Sequence, residues 1–157
     1  AVAERFLATG GDMGALWNTL FGHDLAWRPE HPPKFKRPEE LVLSAHRQLK
    51  LPMGDGRAFD LLTQEVQAMG QPMGRVPSPQ GWADTTSHWL SPDALFKRVA
   101  WAGRFAQVHT ERTDVRGLAR MAMGPDLQAT TREQVDRAES GAQAMALWLS
   151  SPDFQWR

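Results

Sequence analysis

The sequence predicts an all-α fold, a compact bundle of about six helices with one long loop that contains glycine, proline and tryptophan. Apolar residues recur at three- and four-residue spacing in several segments, which is typical of amphipathic helices. Capping residues followed by proline or an acid precede some of these segments and mark helix starts. No segment alternates apolar and polar residues over a convincing strand length. Together these observations favour helices throughout.

Asp12 is placed to cap a first well-defined helix that runs to about Phe21, and Gly22 ends it. A loop with three prolines follows over positions 25–34. Pro38 then begins the next helix, because proline suits a first helical turn. The predicted buried residues of this second helix are Leu41, Val42, Ala45 and Leu49.

A Pro/Gly-containing turn over positions 52–56 leads to a third helix, which Gly70 ends. Its predicted apolar stripe consists of Phe59, Leu62, Val66 and Met69. After the long loop, Ser91 with Pro92 and Asp93 predicts the start of a helix that reaches about Val108. Apolar residues occupy most of the circumference of that helix, which indicates a central, buried position. They are Leu95, Phe96, Val99, Trp101 and Phe105.

The last third of the chain predicts a short helix over positions 115–123 and a longer final helix. Two overlapping capping boxes are available to start the final helix, Thr130 with Glu133 or Thr131 with Gln134. Its apolar side is predicted to contain Ala138, Ala142, Met145 and Leu149. A turn over positions 151–154 closes the chain.

Length and composition indicate one helical domain over residues 1–157. Lysine and arginine (18) balance aspartate and glutamate (18) without a long block of either sign, which argues against a nucleic-acid-binding protein. No apolar stretch approaches the roughly 18 residues of a membrane helix, so no membrane insertion is expected. The absence of cysteine excludes disulfides and thiolate metal ligands.

The long loop over positions 71–93 is the main candidate for function. Loops longer than about 12–15 residues are uncommon in compact domains unless they are functional, packed or disordered, and two tryptophans argue against disorder. The candidate residues for ligand binding or for anchoring the loop are Gln71, Trp82, Asp84, His88 and Trp89.

Two interpretations of this loop remain open. In the favoured one, both tryptophans bury the loop against the neighbouring helices, and Gln71 satisfies backbone groups of the loop. In the other, the indole rings stack on a sugar or peptide while Asp84 orients His88 as a proton carrier. The first makes the loop structural, and the second makes it a binding cleft.

Motifs of known catalytic chemistry are missing from the sequence. It has no G-x-S-x-G, S-x-x-K or H-E-x-x-H pattern, so no metal or cofactor is expected and the catalytic residues, if there are any, are unknown. The leading hypothesis is a non-catalytic helical packing or interaction module. The alternative is the substrate-facing half of a cell-envelope hydrolase, or a carbohydrate- or peptide-binding protein, with its cleft at the loop.

Three motifs resemble a known family. They are the segment from Phe35 to Arg47, the GQ-P…P-x-GW…WL-x-P pattern between Met69 and Pro92, and the closing segment from Leu147 to Arg157. In this order they are similar to the C-terminal part of the bacterial DUF1800 family, whose function is unknown. The resemblance implies a larger, mostly helical parent protein that is often exported by a twin-arginine signal. It implies no established activity and no catalytic residues.

The resemblance also sets expectations about location and partners. We expect this chain to be the C-terminal fragment of a protein of the periplasm or cell envelope, although the chain itself carries no signal sequence. The expected partner is the protein's own N-terminal region or a second protein. Trp17, Phe21, Trp27 and Trp156 are the candidate contact residues for that partner.

Overall fold

The computed structural model describes residues 1–27, 34–53, 56–111 and 113–156. These residues belong to two compact units, Ala1–Pro33 and Lys34–Arg157, and each unit is described by itself. The described residues form ten α-helices and two short 3-10 turns and no β-strand, which confirms the all-α prediction. The three prolines of the predicted loop over positions 25–34 lie outside the described residues. The single domain over residues 1–157 stays a prediction.

The first unit consists of two short helices and a 3-10 turn. Helix α1 spans Val2–Thr9, helix α2 spans Met13–Phe21, and the turn spans Asp24–Trp27. The backbone N–H of Ala15 donates to the Oδ1 atom of Asp12 at 2.7 Å, so the predicted cap is confirmed. This bond satisfies one of the free N–H groups at the start of the helix.

The second unit contains eight α-helices. They are α3 (Pro38–Gln48), α4 (Gly56–Ala68), α5 (Thr86–Trp89), α6 (Pro92–His109), α7 (Val115–Met123), α8 (Ala129–Arg137), α9 (Gly141–Ser150) and α10 (Pro152–Gln155). The predicted starts at Pro38 and Ser91 are confirmed, and the hydroxyl of Ser91 accepts from the N–H of Ala94 at 3.3 Å. In the part of the chain that is described, no helix is long and apolar enough to cross a membrane.

The predicted capping box near Thr130 is wrong. Helix α8 begins at Ala129, and Gln128 precedes it without a side-chain cap. The N–H of Gln128 instead donates to the Oδ2 atom of Asp153 at 3.0 Å, while Thr131 is buried. A carboxylate 25 residues further along the chain therefore supports the start of this helix, and local pairing signals do not report such a contact.

The single long helix predicted at the C-terminus is also divided. Helix α8 ends at Arg137, and α9 starts after Ser140, whose hydroxyl accepts from the N–H of Gln143 at 3.1 Å. Ser151 then caps α10 by accepting from the N–H of Phe154 at 3.3 Å. Each new cap satisfies N–H groups that a continuous helix would have used internally.

The core of the second unit centres on α9, which packs against α6, α7, α8 and α10. The largest fully buried side chains of this core include Trp101, Trp148, Phe154, Leu41 and Met145. The predicted buried residues of α3 are confirmed for Leu41, Val42 and Ala45, and Leu49 packs partly buried against the same core. The helix that organises the core is thus α9.

Two burial predictions are wrong. Helix α6 is not buried on all sides, since Leu95, Phe96 and Val99 are exposed and only the face with Trp101 and Phe105 is in the core. Phe59 of α4 is exposed as well, whereas the rest of its stripe is buried. Apolar spacing predicts which residues share a helix face, but neighbouring helices decide how much of that face is covered.

Candidate functional site

Gln71 anchors the start of the predicted loop. It is 1% exposed, and its Oε1 atom accepts a hydrogen bond from the backbone N–H of Glu39 at 2.9 Å. Glu39 belongs to the first turn of α3, where N–H groups have no partner within the helix. The side chain therefore joins the loop to α3, and this contact differs from the loop-internal role that the sequence suggested for Gln71.

The two loop tryptophans lie together. Trp89 is 4% exposed and its Nε1–H donates to the carbonyl of Ala83 at 2.8 Å, while Trp82 is half-buried with its ring centre 6.0 Å away. The edge of His88 packs on Trp89 at 4.6 Å between ring centres. None of these three residues belongs to the main core cluster around α6 and α9. The loop is thus held partly by its own aromatic side chains.

The polar candidates of the loop point to no shared reaction centre. Asp84 and His88 are both exposed, and the Oδ2 atom of Asp84 accepts from the Nζ of Lys34 at 2.9 Å. The structure therefore brings His88 to the tryptophans and pairs Asp84 with a lysine. A function for the five loop residues stays a prediction.

The family-like motifs meet at the start of α3. The N–H of Lys36 donates to the carbonyl of Gln155 at 2.8 Å, and Phe35 and Trp156 form an isolated antiparallel bridge. The Nζ of Lys36 donates to the carbonyl of Phe154 at 2.7 Å and lies 4.3 Å from the centre of the phenyl ring of Phe154. Gln71 of the second motif also contacts Glu39 in the first turn of α3. The second and third motifs therefore both contact the first motif near the start of this helix. Their first visible role is structural.

Arg98 stands at the centre of this arrangement. It is 2% exposed, and its guanidinium donates to the Oε1 of Gln155 and to the carbonyl of Lys36, both at 2.7 Å. Burial lowers the pKa of Arg98 to about 10, and the negative charge of Glu40 opposes that change. The hydrogen bonds of this buried arginine thus go to a side-chain amide and to a backbone carbonyl.

A groove of about 480 Å³ opens between α4 and α6, and sequence reasoning missed it. Its lining includes the buried Trp101 and Phe105, the exposed side chains of Leu61 and Val108, and His46 of α3. Apolar surface lines most of it, as in many small-molecule sites. The available signal was the four-residue spacing of Trp101 and Phe105 on α6, which predicts only that both residues are buried.

Polar groups of the groove form one cluster. The Nε2 of His46 lies 3.2 Å from the Oε2 of Glu65, and the Nδ1 of His46 is buried with no hydrogen-bond partner among the described residues. His109 packs on Phe105 with 4.5 Å between ring centres. Burial lowers the pKa of His109 below its ordinary value, the electrostatic effect of the nearby His46 lowers it further, and Glu65 raises it. His109 is therefore mainly neutral at pH 7.

Arg104 lines the same groove and is exposed to solvent. Within the described ranges it forms no ion pair, in contrast to Glu65, which faces His46. The described residues also include no group of three or more histidine or acidic side chains that could hold a metal ion. The groove thus combines apolar walls, a paired carboxylate and a free cation.

The aromatic residues predicted to contact a partner behave differently in the two units. Trp17 and Phe21 of α2 stack at 5.5 Å between ring centres, and the Nε1–H of Trp27 donates to the carbonyl of Phe21 at 2.5 Å. All three are exposed. Trp156 is half-buried and packs on the edge of Phe35 at 5.0 Å. Of these four predicted contact residues, the three in the first unit are therefore the exposed ones.

Comparison with known proteins places the chain in one family. The model of DUF1800, described as a protein of unknown function, matches residues 1–156. No curated protein and no solved structure matches the chain significantly. The family match covers almost the whole sequence and includes all three motifs that meet around α3. The chain therefore belongs to the DUF1800 family.

Proposed function

We propose that the chain is a non-catalytic helical interaction module of an exported bacterial protein, and that the apolar surface of the first unit contacts its partner. One observation carries this proposal. No described residue of the first unit is buried, and nine large apolar side chains are 39–80% exposed. These residues form the apolar surface of the first unit: Val2, Phe6, Leu7, Met13, Trp17, Leu20, Phe21, Leu25 and Trp27.

The short helices of this unit need external packing. Helix α1 has 8 residues and α2 has 9, and isolated helices shorter than roughly 12–15 residues are marginal in water. A unit of fewer than about 40 residues also cannot bury enough surface to form its own core. Contact with a further apolar surface would supply the burial that this helical pair lacks.

The partner proposed is an apolar helical surface, contributed by the protein's own N-terminal region or by a second protein. Monomeric proteins rarely expose large continuous apolar patches, and such patches usually mark sites of interaction. The Trp17–Phe21–Trp27 cluster would form the centre of the contact, since large aromatic residues dominate binding energy at interfaces. Export to the periplasm or envelope is proposed from the family resemblance.

Site-specific photo-crosslinking in cells that carry the natural gene tests the proposal. A benzophenone side chain replaces Trp17 in one variant and Asn18, an exposed polar neighbour on the same helix, in the control. We expect position 17 to crosslink at one defined apolar site, identified by mass spectrometry, at least about tenfold more than position 18. A second variant with Phe21→Gln should reduce the crosslink from position 17.

Equal crosslinking from positions 17 and 18 would contradict the proposal, as would an unchanged yield in the Phe21→Gln variant. Circular dichroism of each variant verifies that the second unit remains folded, because its core does not contain either position.

A further inference from the structure

We propose that the groove between α4 and α6 binds an amphipathic carboxylic acid, with the apolar part on Trp101 and Phe105 and the carboxylate at Arg104. This site is separate from the apolar surface of the first unit. The inference goes beyond the proposed interaction function and does not depend on it.

The size and walls of the groove suit a small apolar ligand. Its volume of about 480 Å³ falls within the roughly 300–1,000 Å³ typical of small-molecule sites. Leu61 from α4 and Val108 from α6 line it with exposed side chains, while its lining residues Trp101 and Phe105 are buried. An alkyl chain or ring in this groove would remove exposed apolar surface from water, which is the main source of affinity in such sites.

The guanidinium of Arg104 is the lining group that suits an anionic head group. The Oε2 atom of Glu65, which would repel a carboxylate, lies at hydrogen-bonding distance from the Nε2 of His46, at 3.2 Å. His109 is mainly neutral at pH 7, because burial and the nearby His46 lower its pKa. Gln64 adds an uncharged amide at the rim. Among the described lining residues, the guanidinium of Arg104 is a cation without an ion pair, and it can hydrogen-bond a carboxylate through two N–H groups.

Titration of the full chain with octanoate, followed by two-dimensional NMR of backbone amides, tests this inference. Uncharged 1-octanol and cationic octyltrimethylammonium serve as ligands with the same chain and a different head group. We expect octanoate to shift the amides of α4 and α6 that border the groove, and to bind more tightly than either comparison ligand.

Two substitutions separate the head group from the apolar site. Arg104→Gln should weaken octanoate binding about fivefold, the effect of losing an exposed ionic contact of about 1 kcal/mol, and should leave 1-octanol binding unchanged. Arg47→Gln, at an exposed arginine outside the groove, should change neither. Ala68→Trp should block both ligands, because Ala68 is an exposed lining residue, whereas Gln67→Trp next to it should not.

Several outcomes would overturn the inference. Shifts confined to residues 2–27 would place the ligand on the first unit. Octanoate affinity that is unchanged by Ala68→Trp would remove the groove as the site. Equal effects of Arg104→Gln on octanoate and 1-octanol, or tightest binding of the cationic ligand, would contradict the carboxylate assignment.

Discussion

Arg98 donates from its guanidinium to the Oε1 atom of Gln155 at 2.7 Å and thereby joins α6 to the C-terminal helix α10 through a buried charge. The second hydrogen bond of Arg98 goes to the carbonyl of Lys36, just before α3. Gln155 in turn donates its Nε2–H to the carbonyl of Leu149 in α9 at 2.7 Å. A buried cation is costly unless hydrogen bonds replace its water. Two segments far apart in sequence, at Lys36 and at Gln155, provide those bonds.

Arg98→Met should lower the free energy of unfolding of the second unit by about 1.5–3 kcal/mol, the usual value of hydrogen bonds to a charged group. The substitution leaves the Oε1 of Gln155 and the carbonyl of Lys36 without their donor in a dry environment. Urea unfolding monitored by circular dichroism measures the change. Arg57→Met, at an exposed arginine on α4, is the control and should stay within about 0.5 kcal/mol of the wild type.

Gln71→Leu should destabilise the protein by about 1 kcal/mol, near the lower limit for an unmet buried hydrogen bond. The N–H of Glu39 loses its acceptor, but the substitution also removes the Nε2 of Gln71, which is buried without a partner. Thermal unfolding together with amide exchange at Glu39 checks this prediction. A stability equal to that of the wild type, with slow exchange at Glu39, would show that the Gln71 contact is dispensable.

Trp89→Ala should cost about 3 kcal/mol, at the lower end of the range for a buried large aromatic residue, since Trp89 packs outside the main core. Trp82→Ala should cost about half as much, because Trp82 is only half-buried. His88→Ala should have almost no effect on stability, because His88 is exposed. Denaturant unfolding of the three variants tests the order, and a larger loss for Trp82 than for Trp89 would contradict it.

His109 should make the protein less stable at mildly acidic pH. Its pKa is lowered in the folded state, first by burial and then by His46, so the unfolded chain binds the proton more readily. The stability associated with neutral His109 is fully present above its ordinary pKa of about 6.5 and is lost as pH falls through the lower folded value. We expect the melting temperature of the wild type relative to His109→Gln to fall between pH 7.5 and pH 5. NMR titration of the imidazole should give a midpoint below 6.5, and a midpoint above that value would reverse the sign.

Local signals predicted the helices well where the signal and its partner are close in sequence. Asp12 caps α2, Ser91 caps α6, and Pro38 begins α3 as expected. The start of α8 was misplaced because its support comes from Asp153, a residue distant in sequence. Periodicity predicts which residues share one face of a helix. A contact between two helices can be predicted only when the relative positions of those helices are known.

Of the two candidate sites, the loop over positions 71–93 could be predicted from the sequence and the groove could not. Composition predicted that the loop over positions 71–93 would be packed at least in part, and Gln71 and Trp89 are buried. The groove could not be predicted, because His46, Glu65 and Arg104 belong to three different helices and only the packing of those helices brings them to one groove.

The sequence by itself determined that this chain is helical and where α2, α3 and α6 begin, because caps and short-range periodicity act within one or two turns. Its motifs determined which family it belongs to. Only the tertiary structure decided that α9 organises the core, that Arg98 bonds to Gln155, and that α4 and α6 leave a groove between them. Those features depend on how far apart packed helices lie, and that distance follows from the summed packing of side chains that are remote in sequence.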